Sequence, residues 1–269
     1  MGIHLVLNLS PHTKGLWSEL YLYNGVPLCA IAIVILAPRI DDRFGHYFIA
    51  AAITLWLIGS LISSFSTYYI IAIPTQFFSN IAYLLFYPFI ILTLPKIISP
   101  NHTFTRLEIF EALIISLGFT TLGTTLALSQ VLPHNGGGIR QNFFSIAFPV
   151  ADLILLSLTF TLVLVRGISR RGSMLTLGVV IFSVSDYLFL GMHAEGTYTF
   201  GSLVDDGWLI GLLIIAMSLW QRNSEFVENK NASPVLITLS VFLSATILAL
   251  IALRPGYFPS YVLLPTISY

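Results

Sequence analysis

YFIAAAITLWLIGSLISSF, residues 47–65, is the stretch that decides the fold. Its 19 residues carry no formal charge, and as an α-helix rising roughly 1.5 Å per residue they cover about 28 Å, close to the thickness of a bilayer's hydrocarbon core. In lipid an isolated segment must satisfy its own backbone hydrogen bonds, which makes it a helix. Working outward, runs of this kind recur from Leu20 to Leu253, at 20–38, 77–95, 107–128, 143–165, 173–191, 205–220 and 234–253, the seventh span being the shortest. The sequence therefore predicts an all-α polytopic membrane helix bundle of about eight transmembrane helices. Residues 1–19 form an extracytoplasmic N-terminal segment in this reading, 20–253 the transmembrane domain, and 254–269 a short tail read as the remnant of a ninth span.

Composition agrees with a lipid-solvated chain. Of 269 residues 56% are hydrophobic and only 9% charged, with mean hydropathy +0.88, whereas a soluble domain is roughly 25% charged. The bilayer is thus the first partner expected. Twelve basic and twelve acidic residues cancel, so no overall charge argues for nucleic acid. The lone Cys29 excludes an intrachain disulfide or a cysteine-based metal cluster, and inside the first span it reads as a small packing residue. The first 18 residues lack the basic n-region and long apolar stretch of a signal peptide, so the segment is expected to remain and lie at the interface. No HExxH, phosphate-binding glycine loop or nucleophile elbow occurs, and His134 beside Gly136–Gly138 reads as a flexible turn. The expectation is a protein that is not an enzyme and has no cofactor and no metal.

Orientation follows from the basic residues. The connections after spans one, three, five and seven hold nine (Arg39, Arg43, Lys96, Arg106, Arg166, Arg170, Arg171, Arg222 and Lys230), against three on the other side: Lys14, Arg140 and Arg254. The basic-rich loops belong in the cytoplasm, which puts both termini outside. The sequons at Asn101 and Asn231 then fall on the cytoplasmic side and read as chance matches. Pro27, Pro88 and Pro149 are spaced 61 residues apart, each following an apolar residue near the start of an odd-numbered span. Aligned on them, VPLCAIAIVILAPR, YPFIILTLPKIISP and FPVADLILLSLTFT run apolar from the proline. This predicts three similar helical hairpins with a divergent fourth, as parallel repeats. Each proline removes a backbone donor and is expected to bend its helix.

Charges at membrane depth are costly and therefore informative. In the predicted spans every ionisable group is acidic: Glu108, Glu111, Asp152, Asp186, Asp205 and Asp206, with no lysine or arginine. That absence removes a Schiff-base lysine and an internal salt bridge. The acids must be protonated, hydrogen-bonded, hydrated or cation-bound. Asp152 falls near mid-membrane. Ser183 and Asp186 share a face of span six, joined by His193 if the helix continues past Gly191. With Tyr187, Tyr198, Asp206 and Trp208, the aspartates Asp152 and Asp186 make the predicted ligand-binding set, in an outward-facing polar cavity. The competing structural reading makes Asp205 and Asp206 a helix cap, Trp208 an interfacial anchor and His193 a solvated loop residue. Glu108 and Glu111, beside Arg106, read as an end cap. The aromatic residues of span three, Phe77, Phe78, Tyr83, Phe86, Tyr87 and Phe89, read as packing or lipid-facing rather than as a ligand box.

The segment SDYLFLGMHAEGTYTFGSLVDDGWLIGLLIIAMSLW (185–220), with FPVADLILL (148–156) and FYPFIILTLP (86–95), resembles the multi-helix membrane regions that precede GGDEF and EAL domains in some bacterial cyclic-di-GMP signalling proteins. The likeness covers roughly 20–253 and rests on Pro149 with Asp152, Asp186 with Tyr187, and Tyr198, Gly201, Asp206, Gly207 and Trp208; Glu111 stands where the family tends to have aspartate. The resemblance implies a sensory or regulatory module in a bacterial plasma membrane. No GGDEF or EAL domain follows, so the expectation is a truncated or degenerate relative whose signal passes to a cytoplasmic signalling partner through the basic loops. The alternative function is a small-solute or cation/proton-coupled membrane transporter, suggested by repeats, prolines and acids without basic partners.

Overall fold

A computed structural model of the chain describes residues 17–38, 43–69, 74–98, 110, 114–116, 118, 139–166 and 169–221. Every regular element among them is helical. A π-helical turn, Trp17–Leu22, leads into α1 (Tyr23–Leu36); α2 spans Arg43–Tyr68, α3 Thr75–Ile98, α4 Ile139–Arg166, α5 Arg170–Ala194 and α6 Leu203–Ser218. Phe110, Ile114–Ser116 and Gly118, inside the predicted fourth span, are also helical. The remainder of that span, the eighth span, the sequons, Glu108, Glu111, the 1–16 segment and the tail lie outside the described residues.

Three helical stretches, Gly45–Ser66, Thr75–Ile98 and Arg170–His193, are long and apolar enough to cross a membrane, and Leu20–Leu36 and Ala147–Val163 are shorter apolar helices. The chain has the make-up of a membrane protein. Each described helix packs on its neighbour in sequence, and α1 packs on α6, so the six close into a ring with α3 also touching α5. The ring buries one continuous core, in which Phe86 of α3 stacks on Phe182 of α5 with ring centroids 5.0 Å apart, surrounded by Ile49, Ile90, Leu155 and Leu209. Leu28, Ile35, Leu36, Leu92, Phe160 and Leu177 face outward instead. Water would reject such a surface, while lipid accepts it. Cys29 is exposed on α1, which corrects the expectation of a packing residue: its face of the helix looks away from the core.

Because hydrocarbon drives no apolar side chain inward, close backbone approach and interhelical hydrogen bonds hold such helices together. Both are present. At the α5–α6 crossing a Cβ on Gly178 would stand 2.8 Å from Ile215 Cγ1 and 3.0 Å from the Gly211 carbonyl; one on Gly211 would stand 2.9 Å from Phe182 Cβ. A Cβ on Gly207 would collide with Ser185 Oγ. Between α1 and α2, buried Asn24 donates from Nδ2 to the Leu20 carbonyl (2.8 Å) and to Ser64 Oγ (3.2 Å), and accepts from Ser60 Oγ at 2.6 Å. The helices continue through Pro27, Pro88 and Pro149. Pro88 and Pro149 sit well inside α3 and α4 rather than near their starts, whereas Pro27 is near the start of α1.

Candidate functional site

Four helices meet at one polar cluster. Tyr87 reaches it from the middle of α3, Asp152 from the middle of α4, Ser183 and Asp186 from successive turns of α5, and Trp208 from the start of α6. The spacing of Ser183 and Asp186 puts both on the α5 face turned to α4, because residues three apart lie nearly one above the other.

The Tyr87 hydroxyl lies 3.0 Å from Asp152 Oδ1 and 3.0 Å from Asp186 Oδ2. A phenol has one proton to give. Both contacts hold either when that proton is shared between the two oxygens or when one carboxyl is protonated and donates to the phenol oxygen. The remaining donors are unequal. Trp208 Nε1 donates to Asp186 Oδ1 at 2.9 Å, whereas Asp152 receives a longer bond from Ser183 Oγ, 3.3 Å to Oδ1. Asp152 is 4% exposed and its Oδ2 is buried with no hydrogen-bond partner among the described residues. The donors are thus gathered on Asp186 more than on Asp152. Among the residues that make this cluster none is basic, and the described donors to Asp186 are Trp208 and Tyr87. Chemically the site can gain or lose a proton, or take a small cation or ammonium group against its carboxyl oxygens. No group of three or more histidine, cysteine or acidic side chains suited to a metal ion occurs among the described residues.

Next to it lies a second arrangement. Asp205 Oδ1 accepts from the Tyr198 hydroxyl at 2.8 Å, and Oδ2 from the backbone N–H groups of Gly201 (2.6 Å) and Ser202 (2.9 Å). This is the reaching-back half of a capping box at the start of α6, and Gly201, at φ +83°, has the left-handed backbone that glycine adopts without a Cβ clash. Asp205 is therefore a helix cap. Asp205→Ala should lower thermal stability in detergent by about 2 kcal/mol and Asp205→Asn by roughly half as much, since the amide oxygen keeps one acceptor. Equal melting of both variants and the parent would sink the cap assignment.

Of the residues singled out by sequence, the structure brings Asp152, Asp186 and Trp208 into one cluster. Trp208 is turned inward to Asp186 rather than serving only as an interfacial anchor. Tyr198 belongs to the Asp205 cap, and Asp206, 1% exposed, is buried in the first turn of α6. Tyr187 stands on the next spoke of α5 from Asp186 and is 37% exposed. The α5 helix does continue past Gly191, but His193 stacks on Phe189, with centroids 5.5 Å apart, and is exposed rather than part of the cluster. Two residues escaped sequence reasoning. Tyr87 looked like one aromatic among many in α3; its place before the repeat proline Pro88 was the available signal. Phe189 touches the rings of Tyr198 (4.7 Å) and Trp208 (5.4 Å) and so joins the two arrangements; no pattern marked it.

Compared with known proteins, the chain matches no family model, and no curated protein or solved structure matches it significantly.

Proposed function

We propose that this chain is a multi-pass sensory or regulatory module of the membrane, of about eight spans, whose input site is the Asp152–Tyr87–Asp186–Trp208 cluster. The observation that carries the reading is that one phenol joins carboxyls from two helices while an indole ties in a third. Four helices are thereby linked through a proton count. Binding of a cationic group, or a change in protonation, exchanges one set of these bonds for another and so biases how the helices pack, which is the coupling a sensor needs. The resemblance to membrane regions of cyclic-di-GMP signalling proteins supports the same reading, including a bacterial plasma membrane and a separate cytoplasmic partner docking on the basic loops. Crosslinking in cells followed by co-purification tests it: the parent chain should capture a partner, and Asp152→Asn and Asp186→Asn should change that capture severalfold. A chain that captures nothing, and whose two variants alter no phenotype, is not such a module.

A second reading, proton- or cation-coupled transport, is favoured by two buried carboxyls that share one phenol and by Asp152 Oδ2, which has no hydrogen-bond partner among the described residues. In reconstituted vesicles it predicts solute uptake driven by a pH or sodium gradient and abolished by Asp152→Asn. Silence across candidate solutes leaves only the regulatory reading.

A further inference from the structure

The connection between α5 and α6, residues 195–202, is tied down at two points. At its start the backbone N–H groups of Thr197 and Tyr198 donate to the Met192 carbonyl, at 2.9 and 3.2 Å. At its end one carboxylate, that of Asp205, accepts from the Tyr198 hydroxyl and from the N–H groups of Gly201 and Ser202. Gly196 and Gly201, at φ +69° and +83°, are the positions of left-handed backbone among the described residues, and they bracket the segment 197–200. Glycine crosses between backbone regions at little steric cost, so this segment can swing on its two ends once the bonds to Asp205 part.

Two rings of the segment reach into the bundle. Phe200 packs edge-on against Tyr23 in the first turn of α1, with centroids 5.5 Å apart, and is partly buried against the core although it belongs to no helix. From Tyr23 the ring contacts continue through Trp56 (6.2 Å), Phe182 (6.5 Å) and Phe86 (5.0 Å) to Tyr87 (5.3 Å). Tyr198 starts a shorter route: its ring meets Phe189 at 4.7 Å, and Phe189 meets Trp208 at 5.4 Å. The two routes end on the phenol and the indole that bond Asp186.

We propose that residues 195–202 form a latched strap coupled to the Asp152–Tyr87–Asp186–Trp208 cluster. With Asp205 as its latch, the closed strap holds Tyr87 and Trp208 in place against Asp186, and an exchange of bonds at the cluster loosens it. The inference rests on the cluster being the input site and adds the element that the site moves. Close-packed rings cannot shift singly, so displacement at Phe200 or Tyr198 is passed along the two routes. Such coupling is reciprocal: whatever draws the strap open alters the cluster by the same factor.

Hydrogen exchange of the full chain in a nonionic detergent, read by mass spectrometry, tests this, with the amides of α2 in the same spectra as the reference for global opening. Tyr198→Phe keeps the ring against Phe189 and removes one bond to Asp205, so exchange at 197–202 should speed up about fivefold relative to α2, the factor that one hydrogen bond is worth. Phe200→Ala should loosen the strap as well, and Phe200→Leu, which refills the seat on Tyr23, should loosen it less. Tyr87→Phe and Trp208→Phe lie outside the strap and keep a ring in each place while removing a bond to Asp186. Each should still accelerate 197–202 about fivefold relative to α2, at the lower end of such couplings. Exchange at 197–202 that only follows α2, or that these two variants leave unchanged, overturns the coupling. A strap that neither Tyr198→Phe nor Phe200→Ala loosens overturns the latch. Partner capture in cells answers the separate question of the input site: a chain with coupled exchange and no captured partner keeps the strap and refutes the module.

Discussion

Gly211→Val should part helices α5 and α6 and lower stability by about 3 kcal/mol, at the upper end of what overpacking a tight contact costs. The atoms in the way are backbone: Gly178 O at 3.0 Å and Phe182 N at 3.0 Å from the position of the new Cβ, with Phe182 Cβ at 2.9 Å. A flexible side chain could swing aside, but these atoms move only if the helix axis moves. The consequence extends past the crossing, because Phe182 stacks on Phe86, next to Tyr87, and because Trp208 sits one turn before Gly211 on the same helix. Gly211→Ala should cost about half as much, and Gly178→Ala, opposed by Ile215 N at 2.9 Å, a similar amount. Differential scanning of the purified variants measures this, and crosslinking of cysteines introduced across the α5–α6 contact reports the separation directly. A Gly211→Val protein that melts with the parent would show that the two backbones do not approach this closely.

The second large effect concerns the phenol. Tyr87→Phe keeps the ring that packs beside Phe86 and removes only the oxygen and proton between Asp152 and Asp186. Two buried carboxyls are then left with fewer partners, at a cost of about 2–3 kcal/mol. Asp152→Asn alone should be nearly neutral for stability, because the amide still donates to a neighbouring acceptor while its charge is gone for good. Combined with Tyr87→Phe it should recover at least half of the loss. The double-mutant cycle in detergent gives the coupling directly. Additive costs would mean that the tyrosine does not join the two acids. The contrast matters for function, since Asp152→Asn keeps the fold yet removes the proton-binding group, which separates a signalling defect from misfolding.

Helix formation and membrane character were legible residue by residue. A run such as 47–65 has only one way to meet its backbone hydrogen bonds in lipid, so composition and length suffice. The helix of 43–68 overshoots the apolar run by about a turn at its start, because Arg43, Phe44, Gly45 and His46 remain helical where hydropathy has already fallen. The acids Asp152 and Asp186 were legible as well, since a carboxylate inside an apolar stretch has few everyday roles. Their spacing along the chain even placed Ser183 with Asp186.

What joins them was not legible. Tyr87 is one of six aromatic residues that sequence reasoning grouped in this helix, and nothing local tells a tyrosine facing lipid from one facing two carboxyls; the rotation of α3 against α4 and α5 decides it. The same holds for Asp205 and Asp206. As adjacent acids they were read together in sequence, yet helical rotation of about 100° per residue delivers Asp205 to the N–H groups of Gly201 and Ser202. Arg171 is the clearest case. In sequence it is one of a pair of loop arginines that set orientation, and in the folded chain it is buried against the end of α6, donating to carbonyls 48 to 50 positions away. Hydropathy is a property of each residue and its chain neighbours, so the sequence determines which segments enter the membrane. Partnership across helices depends on crossing geometry and rotation, and these arise only when glycines such as Gly178 and Gly211 let the backbones meet.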